Sequence, residues 1–233
     1  MKIRLVSYSQ LPPFVASLAE AESDIADNDL LQIVAYCARV SNPSNQNNSE
    51  TAEKLVNYLI KHQHWSPLEM VSVCMEVETT RDIARQFLRH RSFSFQEFSQ
   101  RYADPTADLS FEMREPRLQD LKNRQNSLPL EADDYQVVTR TWYEKQREVV
   151  DAAKAAYDWA IENGIAKEQA RAVLPEGNTM SRMYVNGTLR SWIHYCQLRM
   201  GNGTQKEHMD IAKGCADVIL GIFPTTQLDY ESV

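Results

Sequence analysis

Residues 64–91, HWSPLEMVSVCMEVETTRDIARQFLRHR, decide how the chain is read. Proline restricts itself and the residue before it, so His64-Trp65-Ser66-Pro67-Leu68-Glu69 is a turn. Val71, Val73, Met75 and Val77 then alternate with Ser72, Cys74, Glu76 and Glu78, the period of a strand with one buried face. Thr79 and Thr80 stand where a helix cap belongs, and a short helix is expected through about Leu88. After it, Phe93, Phe95 and Phe98 read as an extended stretch. A strand running straight into a short helix places sheet and helices in one unit.

Working outward, residues 2–9 alternate and predict an opening strand. A helix over residues 29–40 presents Leu30, Leu31, Val34 and Ala38, and Ser41-Asn42-Pro43 stops it. Residues 44–49 are a polar loop. Ser49 is placed to cap a second helix with Ala52, Leu55, Val56, Leu59 and Ile60 as its apolar stripe. Residues 104–133 hold prolines and many charges and read as a lid or surface excursion. Residues 134–163 carry the strongest helix signal, about 45 Å long if unbroken, and Gly164 is its natural end. Two further helices are expected over residues 189–200 and 204–223, joined by Gly201-Asn202-Gly203. The interspersed pattern predicts an α+β fold, one domain over residues 1–233, with a mixed or antiparallel sheet and long helices.

The chain has 233 residues, is 43% hydrophobic and 24% charged, and carries a net charge of -7. These values exclude collagen-like and disordered chains. The acidic balance argues against a surface that embraces nucleic acid as a whole. Only 7 glycines are present, which leaves little for a glycine-built phosphate cradle of the Rossmann type. Cys37, Cys74, Cys196 and Cys215 form no CxxC pair, so reduced thiols and a cytoplasmic setting are expected. The opening residues lack the apolar run of a signal peptide, and no membrane span is expected.

Residues 81–101 hold Arg81, Arg85, Arg89, Arg91 and Arg101 against Asp82 and Glu97, a local charge of +3 with no lysine. Arginine without lysine points to bidentate recognition of phosphate or carboxylate. On a continuous helix Arg81, Arg85 and Arg89 would share one face, where they repel unless an anion or carboxylate lies between them.

Within this segment, Arg89-His90-Arg91 is followed by seven residues and Ser99, with Gln86 three before and Glu97 two before that serine. Together with His64-x-Ser66-Pro67-x-Glu69, 25 residues before Arg89, this resembles the signature of the flavin-dependent thymidylate synthases. Ala170-Arg171-Ala172-Val173-Leu174-Pro175, Leu189-Arg190-Ser191-Trp192-Ile193-His194 with Leu198-Arg199, and Gln205-Lys206-Glu207 resemble further blocks of that family, in order. Met70, Gln96 and Thr188 depart from its usual residues.

The resemblance implies conversion of dUMP to dTMP with methylenetetrahydrofolate as one-carbon donor and NADPH-reduced FAD as hydride source. It implies FAD contacts at His64, Ser66, Arg89, His90, Arg91, Glu97, Thr188, Leu189, Arg190 and His194. It implies dUMP contacts at Gln86, Phe87, Leu88, Arg89, Glu97, Phe98, Ser99, Gln100, Arg101, Arg171 and Arg199. Arg199 is the expected catalytic group, polarising the uracil ring in place of an enzyme thiolate; a fixed cation beside developing charge is a strong source of rate. Ser99 is expected to be a phosphate ligand, since as a nucleophile it would need an adjacent base. No metal is expected. The family's homotetramer, with sites shared between subunits, is carried over with these residues, with no membrane or nucleic-acid partner.

Two other readings of the residues stand beside this one. His62, His64 and Glu69, with His90, have the composition of a zinc hydrolase site, although no His-Glu-x-x-His helix is present. Residues 81–102 also combine arginines with Phe93, Phe95, Phe98 and Tyr102, the ingredients of a single-strand binding platform.

Overall fold

A computed structural model describes residues 1–10, 30–130, 136–224 and 228. Asp29 and Asp134, the first residues of two expected helices, lie outside the described residues, as does Asp133 at the end of the expected excursion. In chain order the elements are β1 (Lys2–Tyr8), α1 (Leu30–Ala38), α2 (Ala52–Lys61), β2 (Ser72–Thr80), α3 (Arg81–Phe87), β3 (Ser94–Glu97), α4 (Pro105–Asp108), β4 (Arg117–Gln119), β5 (Ser127–Pro129), α5 (Gln136–Glu162), α6 (Lys167–Ala170), β6 (Met180–Thr188), α7 (Leu189–Arg199) and α8 (Lys206–Ile222).

The main sheet has the order β1-β2-β6-β3, and each neighbouring pair is antiparallel. Alternation along β2 works as expected: Val73, Met75 and Val77 are fully buried. They face a core shared with Leu189, Trp192 and Ile193 of α7 and Ile211, Cys215 and Ile219 of α8. The other face is polar, as an antiparallel sheet allows. There Arg4 donates to Glu76 through Nε at 3.0 Å, and Arg182 donates to Glu78 through Nε at 2.7 Å. Trp192 donates its indole N–H to the Val73 carbonyl at 3.0 Å, which ties α7 to the end of β2.

No element is expected from the sequence over β6, yet it is paired on both edges. Its alternation of Met183, Val185 and Gly187 is obscured because Met180 and Ser181 are both buried. Gly187 is required by close packing. A Cβ at that position would run into the ring of Phe93, which therefore lies against the strand where a side chain would otherwise project.

The expected helices form with small changes. Thr51, not Ser49, is the N-cap residue of α2, and it makes no side-chain cap bond; Ser49 offers its carbonyl to the Ala52 N–H at 3.1 Å. Thr80 caps α3 by position, but its hydroxyl donates to Asp82 at 2.6 Å. α5 buries a thin stripe of Gln146, Val150, Ala153, Tyr157 and Ala160. Gly164 follows it with φ of 75°, the left-handed conformation expected after a helix end. The irregular segment contains α4 and a two-stranded ribbon of β4 and β5.

Candidate functional site

The arginine segment does not form one cationic face. α3 ends at Phe87, and Leu88 is its C-cap, so Arg89 leaves the helix before it can align with Arg81 and Arg85. The carboxylate that lets Arg81 and Arg85 lie side by side is Glu176. Arg81 donates to it at 3.4 Å, and Arg85 grips it with two bonds, at 2.5 and 3.1 Å. Arg81 also reaches Glu97 at 3.3 Å, and Ser181 donates to the same Glu97 oxygen at 2.8 Å. Two of the five arginines are thus held by Glu176, and the expected ligand Glu97 is held by Arg81 and Ser181. Arg89 and Arg91 are exposed, and neither pairs with a carboxylate among the described residues.

A polar basin forms where the C-terminus of α7 meets the residues after α3. Arg199 donates from Nε to His90 Nε2 at 3.0 Å and pairs with no carboxylate among the described residues. His90 must accept this bond on a bare nitrogen, so it is neutral. Burial, the Arg199 charge and nearby His194 push its pKa down to about 4. A second imidazole, His208 of α8, is fully buried with its ring 6.2 Å from His90. Burial, then Arg199 and His90, lower its pKa to about 3. His208 meets Gln86, and Gln86 donates to Gln205 at 2.8 Å. Tyr195 closes the floor, stacked on Phe87 at 4.3 Å between ring centroids and edge-on to His90 at 5.0 Å.

Beside this basin a cleft of about 700 Å³ opens at the start of α7, lined by Trp65, Glu69, Thr188, Arg190 and His194 among others. Three expected FAD residues, Thr188, Arg190 and His194, come together here. Arg190 and His194 are one helical turn apart, and Glu69 holds Arg190 in an ion pair. Thr188 caps α7, its hydroxyl accepting from the Ser191 N–H at 3.3 Å. His64 and Ser66 are exposed next to Trp65. The donor set suits a pyrophosphate-bearing flavin: Arg190 lines the cleft, exposed Arg89 and Arg91 lie within three residues of Ser92, which also lines it, and no glycine loop is needed.

Ser99, Gln100, Arg101 and Arg171 gather elsewhere. Ser99 closes a turn, its carbonyl accepting from Tyr102 and Ala103 at 3.1 Å each. Arg101 pairs with Glu168 at 3.5 Å, and Arg171 donates to the Glu168 carbonyl at 3.3 Å. Gln100 is buried and its amide nitrogen has no partner among the described residues. No hydrogen bond or ion pair among the described residues joins this group to Arg199 or Gln86. His90 bonds to Arg199, and no hydrogen bond among the described residues joins it to Ser99.

Burial limits what several of the expected residues can offer. Phe87 and Leu189 are fully buried in the core, and the Leu189 N–H is taken by the Val71 carbonyl at 3.1 Å; neither side chain lines the cleft. Among the expected stacking platforms Phe93 is buried and Phe95 packs against the core, leaving Tyr102 as the well-exposed ring. Packing takes the aromatic residues that a single-strand platform needs. The zinc arrangement also fails: among the described residues no three His, Cys, Asp or Glu side chains are grouped to hold a metal. The His62 and His64 rings stand 6.3 Å apart, and Glu69 belongs to Arg190. Cys196 and Cys215 are fully buried, and burial pushes both thiols up, away from nucleophilic form.

The sequence does not announce Arg114, Glu176 or His208. Arg114 binds Asp82 at 2.7 Å, the Gly177 carbonyl at 3.2 Å and Glu207 at 3.0 Å, joining α3 to the start of α8. It also borders a cavity of about 1030 Å³ between the β4–β5 ribbon and the starts of α5 and α8. These residues lie outside any local motif; only long-range pairing reveals them.

An antiparallel sheet with helices on its buried face, and neutral imidazoles beside a guanidinium with no carboxylate partner among the described residues, define an α+β fold with no Rossmann glycine loop among the described residues. Residues 25–225 match the family model described as thymidylate synthase complementing protein. The chain belongs to this family, the flavin-dependent thymidylate synthases, and its activity is theirs. It is 44% identical over 226 residues to a protein of Paramecium bursaria Chlorella virus 1 named "Probable flavin-dependent thymidylate synthase", covering 97% of this chain and 96% of that one. It is 47% identical over 200 residues to the flavin-dependent thymidylate synthase of Synechocystis sp., covering 85% and 88%. The crystal structure of a UMP/dUMP methylase, PolB from Streptomyces cacaoi, bound with 5-Br dUMP, superposes with a TM-score of 0.75 at 25% identity, covering 99% of this chain and 94% of that one. No helix among the described residues is long and apolar enough to cross a membrane.

Proposed function

We propose that this enzyme methylates dUMP to dTMP, with methylenetetrahydrofolate as one-carbon donor and NADPH as the source of reducing equivalents for bound FAD. The observation that carries this reading is Arg199, a cation with no acid partner among the described residues, set against neutral His90. An uncompensated guanidinium in a half-buried basin is matched to negative charge developing on a uracil carbonyl. By steadying that charge, Arg199 would let the ring act as a carbon nucleophile with no enzyme thiolate, consistent with the burial of Cys196.

In this reading Arg89, His90, Arg91, Thr188, Arg190 and His194 hold FAD, with His64 and Ser66 at the edge of the cleft. The chemistry a bound flavin supplies is storage and delivery of hydride. Gln86, Arg89 and Arg199 meet the base and sugar of dUMP, while Ser99, Gln100, Arg101 and Arg171 meet its phosphate. Glu97 acts through Arg81 and Ser181, and Leu88 and Phe98 shape the walls.

No hydrogen bond or ion pair among the described residues links these two groups of dUMP residues, which supports a homotetramer whose sites are completed by neighbouring subunits. α5 also exposes Trp142 and Trp159 on a long helix, surface that a subunit contact would cover. A cytoplasmic setting agrees with four free cysteines among the described residues. The test is direct: purified protein should show a flavin spectrum that bleaches with NADPH under anaerobic conditions, and dTMP should form only when dUMP and methylenetetrahydrofolate are both added. A flavin-free protein, or one that forms no dTMP, would refute the proposal.

A further inference from the structure

Gln86 lies in a chain of hydrogen bonds whose direction is dictated from one end. Burial works against charge on Glu207, but its own backbone N–H, Arg114 and Gln205 outweigh it and hold the carboxyl below its ordinary range. An ionised carboxylate only accepts. Gln205 therefore turns its amide nitrogen to Glu207, at 2.9 Å, and its amide oxygen toward Gln86. Gln86 must then donate to that oxygen, at 2.8 Å, which turns its own Oε1 to His208. The His208 Nδ1 lies 3.2 Å from this oxygen, so it must carry the ring proton and donate. Polarity thus runs from Arg114 through Glu207, Gln205 and Gln86 to a single tautomer of His208.

The other end of His208 serves nothing visible. Its Nε2 is buried and has no partner among the described residues, although the whole side chain is enclosed. A leucine would fill comparable space without an orphan nitrogen. As core packing the imidazole is thus a poor choice; among the described residues its hydrogen bond is to Gln86.

We propose that His208 is a positioning residue for the nucleotide site: with the Glu207–Gln205 arm it clamps the Gln86 amide from both ends. An amide held at one end only can turn over and exchange its donor for its acceptor. Held at both, Gln86 offers one remaining N–H and one oxygen lone pair in a fixed order to a nucleotide that carries acceptors and donors in a fixed order. The inference rests on Gln86 contacting dUMP, as proposed above.

The test uses the flavin-loaded enzyme and calorimetric titration with dUMP. His208→Leu should weaken dUMP binding about fivefold to tenfold, the scale of one uncharged hydrogen bond, while flavin content is unchanged and Tm is equal or higher. His208→Asn, whose amide N–H falls near the Nδ1 position, should recover affinity to within about twofold of the parent. Gln86→Ala should weaken binding at least as much, and adding His208→Leu to it should change affinity by less than about twofold. A His208→Leu enzyme that binds dUMP normally overturns the proposal. So does an equal loss from His208→Leu in the Gln86→Ala background, which would leave the Gln86 contact standing and mark His208 as merely structural. Normal binding by Gln86→Ala would instead remove the contact itself, and the clamp with it.

Discussion

Arg199 owes its availability to what surrounds it. Most arginines near it in the fold are tied to acids: Arg81 and Arg85 to Glu176, Arg114 to Asp82 and Glu207, Arg190 to Glu69. Arg199 meets an imidazole instead, and an imidazole held neutral orients a guanidinium without cancelling its charge. Arg199→Ala should therefore keep its flavin absorbance, because the cleft residues at the start of α7 are untouched. It should lose dTMP formation by about 10²–10³-fold, the usual cost of removing one preorganised charge. Product formation measured beside the flavin spectrum checks both halves; normal turnover would sink the assignment. Arg199 is legible in the sequence only through the ordered blocks around it, since an arginine in the last turn of a helix is equally suited to the helix dipole.

Among the elements, those with a clear period were readable. β2 alternates, and α2, α5 and α8 carry apolar stripes at helical spacing, because each buries one face on a single neighbouring layer. The ends were less readable because capping there is tertiary: Thr80 bonds to Asp82 and also accepts from Arg114, a residue 34 positions away. The arginine face failed for a similar reason. α3 stops after seven residues, and the acid that reconciles Arg81 with Arg85 comes from 95 positions along the chain. β6 was hidden because Met180 and Ser181 are buried side by side and Gly187 offers no side chain to read, its meaning lying in Phe93. Gly187→Ala should force the Phe93 ring aside and destabilise the fold by about 1–3 kcal/mol, as overpacked cores do. At roughly 2–4 °C per kcal/mol for a chain of this size, calorimetry should register a fall in Tm of several degrees. An unchanged Tm would mean that the ring moves freely.

At the scale of the whole molecule, the two neutral histidines couple stability to acidity. His90 and His208 have folded pKa values of about 4 and about 3, below the ordinary value near 6.5. The unfolded chain therefore binds more protons than the folded one between those limits, and stability falls as pH drops through that window. Above about pH 7 the contribution is fully present. Buried His208 alone makes the slope as steep as about 1.4 kcal/mol per pH unit. Melting curves from pH 7.5 to 4.5 should show this loss, and His208→Leu should flatten it; an identical slope in the variant would contradict the assigned burial.

The composition also reads differently once the partners are known. A net charge of -7 and a +3 segment suggest a strong local attraction, but Glu176 neutralises much of it and Glu168 engages Arg101. Arginines with no carboxylate partner among the described residues include Arg89, Arg91 and Arg199; the chain around them is acidic overall, and fields of exposed charges fade beyond a Debye length of about 8 Å at physiological ionic strength. On the proposed reading, capture of dUMP depends on short-range encounter with Arg89 and Arg199. Its association rate should decline only gently as salt is raised, unlike that of a protein which draws its ligand in along a broad basic surface.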